Sequence, residues 1–586
     1  MSSIPEAEIV LAVDVGTVNT RASLFDVVDG RYRLVATSES NSTAGSPIYD
    51  ISEGVRLAMD QVSKITGRNF IDETEAIIMP TTGYGAGVDL FAASVSAGPR
   101  IRTVLVGLMP GVSLASARRL ADSAYLEVVG EISLMDGRQM EEQVQLILSS
   151  RPDLILIVGG TDGGASDPLF QMIEVIRLAV GLIPEGNNPR IVYSGNRSLG
   201  ALVVDRMADR SGVTVTANIR PSLEKEDLSP ARLQIADTLF DIRSRKISGY
   251  AELKHWTGGA LIPTGEAFGR LIRYLSRIYD PDKGVLGVDL GASQTTIAAA
   301  FGGNLTLSVN SSLGSGSSVT GLIKYGDLSK VLRWMPIEAT EGQLLDYIFN
   351  KAIHYASVPT STEELYFEYA LARQLIRQAL REARKSWPES KGTRSRVLLP
   401  HVEPIVAAGA TLARAPRPSF TALVLIDALQ PIGVSTLVVD PYSIAPALGS
   451  IAGPLPMATV QLLEAEVLVS LGTVISPVGR IRLGRRVLAY HLEYEDGTPS
   501  IQGEVSSGQI VVLPLGVGKF GKLSIRSERG LDVGFGSIGR TGALRVSGGM
   551  VGVIIDARGR PLVLPKDAER QRELNQRWLW EIGAME

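Results

Sequence analysis

The sequence predicts an α/β protein with a duplicated core unit, an inserted doubly wound parallel sheet and a β-rich C-terminal region. Three observations carry the prediction. An apolar strand ending in Asp-x-Gly occurs twice, as Val13-Asp14-Val15-Gly16-Thr17 and Val288-Asp289-Leu290-Gly291-Ala292. From about 101 to 215, apolar runs alternate with helical periodicity, as βαβ units do. After Pro456, short alternating runs are separated by Gly and Ser turns, as in a sandwich or barrel. The 586 residues suit three or four domains. The predicted division is a first lobe over 1–98, the inserted parallel domain over 99–220 and connecting helices over 221–283. A second lobe follows over 284–455, and the β-rich region with a terminal helix over 456–586.

Each element has a local cause. Ile9 to Val13 is a continuous apolar run and reads as a buried strand; Arg21 to Val27 follows the turn, and Asp29-Gly30 folds a hairpin into Tyr32 to Thr37. Asp50 to Thr66 is helical, with Val55, Ala58, Met59 and Val62 on one face and Gly67 as the stop. In the inserted domain, strands over 103–107, 125–129, 154–158, 190–193 and 213–216 are separated by helices over about 114–121, 140–149, 169–180 and 199–209. The opening pattern then recurs: Gly284 to Val288, a turn, Ile297 to Phe301, and Gly302-Gly303-Asn304 as a hairpin into Leu305 to Val309. A long polar-faced helix is expected over 362–385. The apolar stretch Phe420 to Val439 contains Asp427, Gln430 and Pro431, so it reads as two buried strands and a turn rather than a membrane span. Near the end, Leu574, Trp578 and Ile582 recur at helical spacing and form a docking stripe.

Composition excludes several chemistries. Lys plus Arg is 58 against 62 for Asp plus Glu, so no basic excess exists to neutralise nucleic acid phosphates. Cysteine is absent, which removes disulfides, thiolate metal sites and Cys nucleophiles. Four scattered His make a His-rich metal site improbable. Met1 to Glu6 has neither a basic nor an apolar leader region, so a soluble cytoplasmic protein with no membrane partner is the expectation. Gly516-Val517-Gly518-Lys519-Phe520-Gly521-Lys522-Leu523 nearly matches a P-loop, but Leu523 stands where Ser or Thr would hold magnesium. Neither G-x-S-x-G nor H-E-x-x-H occurs, and no His carries the D-x-H-x-x-G pattern of a cobalamin ligand.

The repeated turn is the chemical signal. Gly16 and Gly291 let the backbone approach a phosphate without a Cβ in the way. Thr17, Asn19 and Thr20 in the first turn, with Ala292, Ser293, Thr295 and Thr296 in the second, place amides and hydroxyls around it. Asp14 and Asp289 sit at strand ends, where they can hold magnesium through waters or orient an attacking water; they are the candidate catalytic and metal residues. The bland alternative is a pair of ordinary hairpins whose Asp and Thr satisfy the turns. A later small-residue turn, Gly409-Ala410-Thr411, fits a base or ribose. In the inserted sheet, Gly159-Gly160-Thr161-Asp162-Gly163-Gly164 ends a strand at the edge where such sheets bind ligands, and is a second candidate turn.

Two such turns facing each other resemble the phosphate clamp of the actin, Hsp70 and sugar-kinase superfamily. The runs Asp14 to Arg21 and Phe25 to Arg33, Pro152-Asp153 through Gly164, Tyr193-Ser194-Gly195-Asn196, and Ile554 to Leu562 together resemble the glutamate mutase L family. That resemblance implies duplicated actin/Hsp70-like ATPase lobes binding ATP and Mg2+. It also implies a chaperone that reactivates or assembles an adenosylcobalamin-dependent mutase. One departure stands out. The second turn in the family usually carries an acidic residue after its Thr pair, whereas here Ile297 follows Thr295-Thr296, which leaves binding with little turnover open. The alternatives are a small-molecule kinase and a nucleotide-silent scaffold. The mutase client and a homo-oligomer are the partners this reading allows.

Overall fold

The computed structural model describes residues 7–83, 85–164, 166–208, 210–326, 328–387, 398–479, 482–535, 539 and 541–585. The Met1–Glu6 opening and Asp209, the last residue expected in its helix, lie outside the described residues.

In the first lobe, β1 (Val10–Val15), β2 (Asn19–Val28) and β3 (Arg31–Asn41) form an antiparallel meander, and β4 (Leu90–Val95) lies parallel to β1. The β2–β3 hairpin turns on Asp29 and Gly30, both with positive φ. Helix α1 (Ile51–Thr66) starts on the Asp50 side chain, which accepts from the Ser52 amide, and stops at Gly67 with φ 74°.

The inserted domain follows, with β5 (Ile101–Gly107), α2 (Ala115–Ser123), β6 (Leu126–Ser133), α3 (Met140–Ser150) and β7 (Leu154–Ile157). It continues through α4 (Asp167–Gly181), β8 (Arg190–Tyr193), α5 (Gly200–Met207) and β9 (Val213–Val215). All its pairings are parallel in the order β6-β5-β7-β8-β9, with apolar cores on both faces. The chain returns through α6 (Ser229–Ser244), α7 (Tyr250–Trp256), β10 (Ile262–Pro263) and α8 (Thr264–Ile278). These are more than connectors: β10 joins the first lobe's sheet beside β4, and α6 packs into the inserted domain's core.

The second lobe repeats the first. β11 (Gly284–Leu290), β12 (Thr295–Phe301) and β13 (Asn304–Asn310) form the meander. After α9 (Gly321–Lys324), α10 (Ser329–Leu332), α11 (Glu341–Ile353) and α12 (Thr362–Ala383), strand β14 (Val402–Ala408) lies parallel to β11. Then come α13 (Ala410–Ala413), α14 (Pro418–Leu429), β15 (Gly433–Val439), α15 (Ala445–Ile451), α16 (Pro456–Glu464) and β16 (Val469–Ser476). The common strand order, meander then parallel neighbour, establishes the duplication independently of the turns.

Two expectations need correction. Phe420 to Val439 is not two strands but nearly all of α14 followed by β15. The helix is buried all round, with Pro418 at its start and Gln430 in the left-handed region at its stop, so no periodicity marks it. The polar face of α12 is solvated only at its ends, where Glu363 and Arg381 are exposed: Arg373, Gln374 and Gln378 are buried, and Arg373 pairs with Asp427 at 2.7 Å.

The C-terminal region comprises β17 (Arg486–Tyr494), β18 (Ile501–Ser506), β19 (Ile510–Leu513), β20 (Phe520–Ser527), β21 (Gly542–Ser547), β22 (Val553–Asp556) and α17 (Ala568–Glu581). Four of its strands form a separate antiparallel sheet, β18-β17-β20-β21. The others do not: β16, β22 and β19 extend the second lobe's sheet to eight strands. Trp578 of α17 and Ile582, which caps it, are buried in the second lobe's core with Leu574 packed beside them. A buried ionic chain ties the region down. Arg558 lies 2.8 Å from both Asp556 and Asp427, and Arg560 lies 2.6 Å from Asp556. Each charge is paired, as burial at this depth requires.

Candidate functional site

The two lobes face each other across a cleft of about 900 Å³, within the usual size range of ligand sites. Both Asp-x-Gly turns line it. Each closes in the same way: the Gly16 amide donates to the Asn19 carbonyl at 2.9 Å, and the Gly291 amide to the Gln294 carbonyl at 2.9 Å. The turns meet directly, with Thr17 Oγ1 and Ser293 Oγ 2.9 Å apart although 276 residues separate them in sequence. Asp14, Gly16, Thr17, Asn19, Asp289, Gly291, Ala292, Ser293, Gly409, Ala410 and Thr411 all lie on the cleft wall.

Thr20, Thr295 and Thr296 do not. They are fully buried in β2 and β12, and Thr295 donates to the Leu313 carbonyl at 2.8 Å. The chain is already in the antiparallel ladder at these positions, which fixes their side chains beneath the turns. The Gly159–Gly164 turn is also off the cleft wall and folds on itself. Asp162 accepts from the Arg197 amide at 2.9 Å and from Asn218 Nδ2 at 2.8 Å, while Asn196 Nδ2 donates to the Gly164 carbonyl at 3.2 Å.

The two aspartates differ in surroundings. Asp14 Oδ1 accepts from Ser94 Oγ at 2.6 Å and from Thr264 Oγ1 at 2.7 Å. Burial raises its pKa, and these two hydroxyls oppose the rise. Asp289 is held by no side-chain hydrogen bond among the described residues. Burial, with Asp14 and Asp440 nearby, pushes its carboxyl up to about 7. Asp440 directly follows β15 and accepts from the Ile444 and Ala445 amides at 3.0 and 2.7 Å. Burial pushes it up to about 6.

The far end of the cleft is built by the second lobe. Gly409 has φ 92°, and a Cβ there would lie 2.2 Å from the Leu290 carbonyl oxygen, so only glycine lets β14 turn against β11. Thr411 Oγ1 lies 3.1 Å from Ser315 Oγ. Lys351 Nζ is 3.1 Å from Glu368 and donates to the Ser357 carbonyl at 2.6 Å, which pins the segment 354–361 along the cleft. At the mouth, Glu39 of the first lobe binds Arg21 and Asn19 of its own lobe and Arg414 of the other. The arginines hold the Glu39 carboxyl below its usual range against the opposing effect of burial.

Sequence reasoning missed Asp440, although it directly follows the apolar strand β15, much as Asp14 and Asp289 sit at the ends of β1 and β11. It also missed Ser94, Thr264, Glu39 and Lys351, which come from elements distant in sequence and carry no local signal.

The donor set fits a phosphorylated ligand: two Gly-closed turns, two facing hydroxyls and Arg21 beside carboxylates. No group of three or more His, Asp or Glu is placed to hold a bare metal ion among the described residues. A magnesium ion would be carried largely by phosphate oxygens and water, with Asp14 and Asp289 the residues placed to hold it. No helix among the described residues is long and apolar enough to cross a membrane.

The family model described as MutL protein matches residues 10–467. Protein MutL of Clostridium tetanomorphum is 24% identical over 387 residues, covering 62% of this chain and 76% of that protein. Among solved structures, the ATP-dependent caprolactamase of Pseudomonas jessenii aligns over 85% of this chain and 81% of its own, at 13% identity and TM-score 0.33. A diol dehydratase-reactivating factor in nucleotide-free form aligns over 78% and 99%, at 10% identity and TM-score 0.30. Scores this low carry no weight for the site.

Proposed function

The chain belongs to the MutL protein family, and on that premise we propose that it is an ATP-binding, slowly hydrolysing chaperone that reactivates or assembles an adenosylcobalamin-dependent mutase of the glutamate mutase type. The observation that carries the nucleotide part is the 2.9 Å contact between Thr17 and Ser293, which sets both turns around one cleft. The mutase part draws on family membership.

When bound, ATP with Mg2+ supplies a transferable phosphoryl group. The rest falls to the chain. Gly16 and Gly291 admit the phosphates to the backbone, and Thr17 and Ser293 donate to their oxygens. Asp289, with a carboxyl near neutrality, takes the proton of an attacking water at one of its oxygens. Asp14, fixed by Ser94 and Thr264, orients that water and the hydrated magnesium. Gly409, Ala410 and Thr411 receive the base or ribose. Ligand contacts made from both lobes favour the closed form and give closure a free-energy difference to pass to a client.

The test incubates the chain with ATP, Mg2+ and an adenosylcobalamin-dependent mutase carrying damaged cobalamin. The expected result is corrinoid release that requires ATP, with ADP formed faster in the presence of mutase. Neither release nor stimulation, across mutases of the glutamate mutase type, contradicts the proposal. A small-molecule kinase is the second reading, favoured by the near-neutral Asp289 as a general base for a substrate hydroxyl. It predicts a phosphorylated product instead.

A further inference from the structure

The inserted domain sends one side chain into the core between the lobes. Tyr125 lies between α2 and β6 and is 2% exposed. The apolar cluster it joins also holds Phe268 and Leu271 of α8, Val10 and Ala12 of β1, and Val309 of β13. Among the described residues it is the sole member of that cluster from 99–220; the domain's other core residues fill two clusters of their own.

Its polar end is placed with equal specificity. The phenol oxygen accepts from the Gly265 amide, next to Thr264, whose hydroxyl holds Asp14. The Gln294 side chain lies against the same hydroxyl, and the Gln294 carbonyl closes the second turn. The Arg243 guanidinium covers the ring at 5.4 Å from its centroid. The backbone is strained to achieve this: Tyr125 has φ 61°, a conformation that bulky residues rarely adopt. Strain of this kind persists only where the surroundings impose it, and it gathers at switch regions.

We propose that Tyr125 is a positioning residue that couples the nucleotide cleft to the inserted domain, its hydroxyl bridging the Asp14 support at Gly265 and the second turn at Gln294. A movement of the turns on ligand binding reaches the phenol directly, and through its backbone the α2–β6 junction. This rests on the nucleotide reading above.

The test compares hydrogen exchange across 99–220 with and without ATP and Mg2+, alongside calorimetric ATP affinity, in the full chain and in Tyr125→Phe, which keeps the ring. Expected are a clear ATP-dependent exchange change in the wild type and its loss in Tyr125→Phe, at an ATP affinity within about fivefold of wild type, the lower edge of typical coupling effects. A tyrosine that only fills the core predicts unaltered exchange changes in Tyr125→Phe, and that outcome overturns the proposal. ATP binding with no exchange change in the wild-type inserted domain also overturns it, while leaving the nucleotide reading standing. No ATP binding by the wild type overturns both. Should Tyr125→Phe be unfolded, Gln294→Met removes the other end of the bridge; it is expected to abolish the exchange change, and retention overturns the proposal.

Discussion

The two Asp-x-Gly turns share a backbone and differ in electrostatics. In both, Asp is the penultimate residue of a buried strand, a Gly amide closes the turn at 2.9 Å, and a hydroxyl faces the opposite turn. Yet Asp14 is clamped by Ser94 and Thr264, whereas Asp289 accepts no side-chain hydrogen bond among the described residues and burial pushes its carboxyl up to about 7. Duplication accounts for the matching turns; divergence left one aspartate held by two hydroxyls and the other without them among the described residues.

Asp289→Asn is the sharpest way to break this comparison. It keeps shape and removes the proton acceptor, so ATP hydrolysis should fall by about 10²-fold or more while ATP binding persists. Equal hydrolysis in wild type and variant would show that the two turns are not divided in role. Asp14→Ala should instead act on the fold and on binding. It strands two buried hydroxyls, and thermal or denaturant unfolding should record a loss of about 1–3 kcal/mol.

The pH dependence sharpens the same contrast. The folded carboxyl of Asp289 binds its proton more tightly than the ordinary value of 3.8. Its contribution to stability is therefore present in full below about 3.8 and lost as pH rises through about 7. Unliganded stability should fall across that window, and Asp289→Asn should flatten the fall. A slope will remain, because burial also pushes Asp440 and Asp122 up to about 6. Hydrolysis runs the other way, rising with pH through about 7 as the base ionises. The smallest effect is expected at the mouth: Arg414 is half exposed, so Arg414→Ala should cost less than about 1 kcal/mol in stability.

The same contrast explains what the sequence disclosed. Features fixed by neighbouring residues were legible: the repeated turns, the Asp29-Gly30 hairpin, α1 between Asp50 and Gly67, the inserted parallel sheet and the α17 stripe. Features fixed by distance were not. Ser94 and Thr264 reach Asp14 across 80 and 250 residues. Strands β16, β19 and β22 read as part of a C-terminal β region, but pairing places them in the second lobe's sheet. The helix in Phe420–Val439 hid because burial on every side erases periodicity. Thr20, Thr295 and Thr296 resembled ligand contacts because a turn pattern does not mark the residue at which the ladder begins.

Calorimetric titration with ATP and Mg2+ of the wild type, Gly16→Val and Gly291→Val tests convergence most directly. One nucleotide per wild-type chain is expected, with loss of binding in each variant, because a Cβ at Gly16 would lie 2.9 Å from the Asn19 carbonyl and one at Gly291 3.2 Å from the Gln294 carbonyl, deforming the turn that closes on it. Full binding in one correctly folded variant, or two independent sites in the wild type, would contradict it.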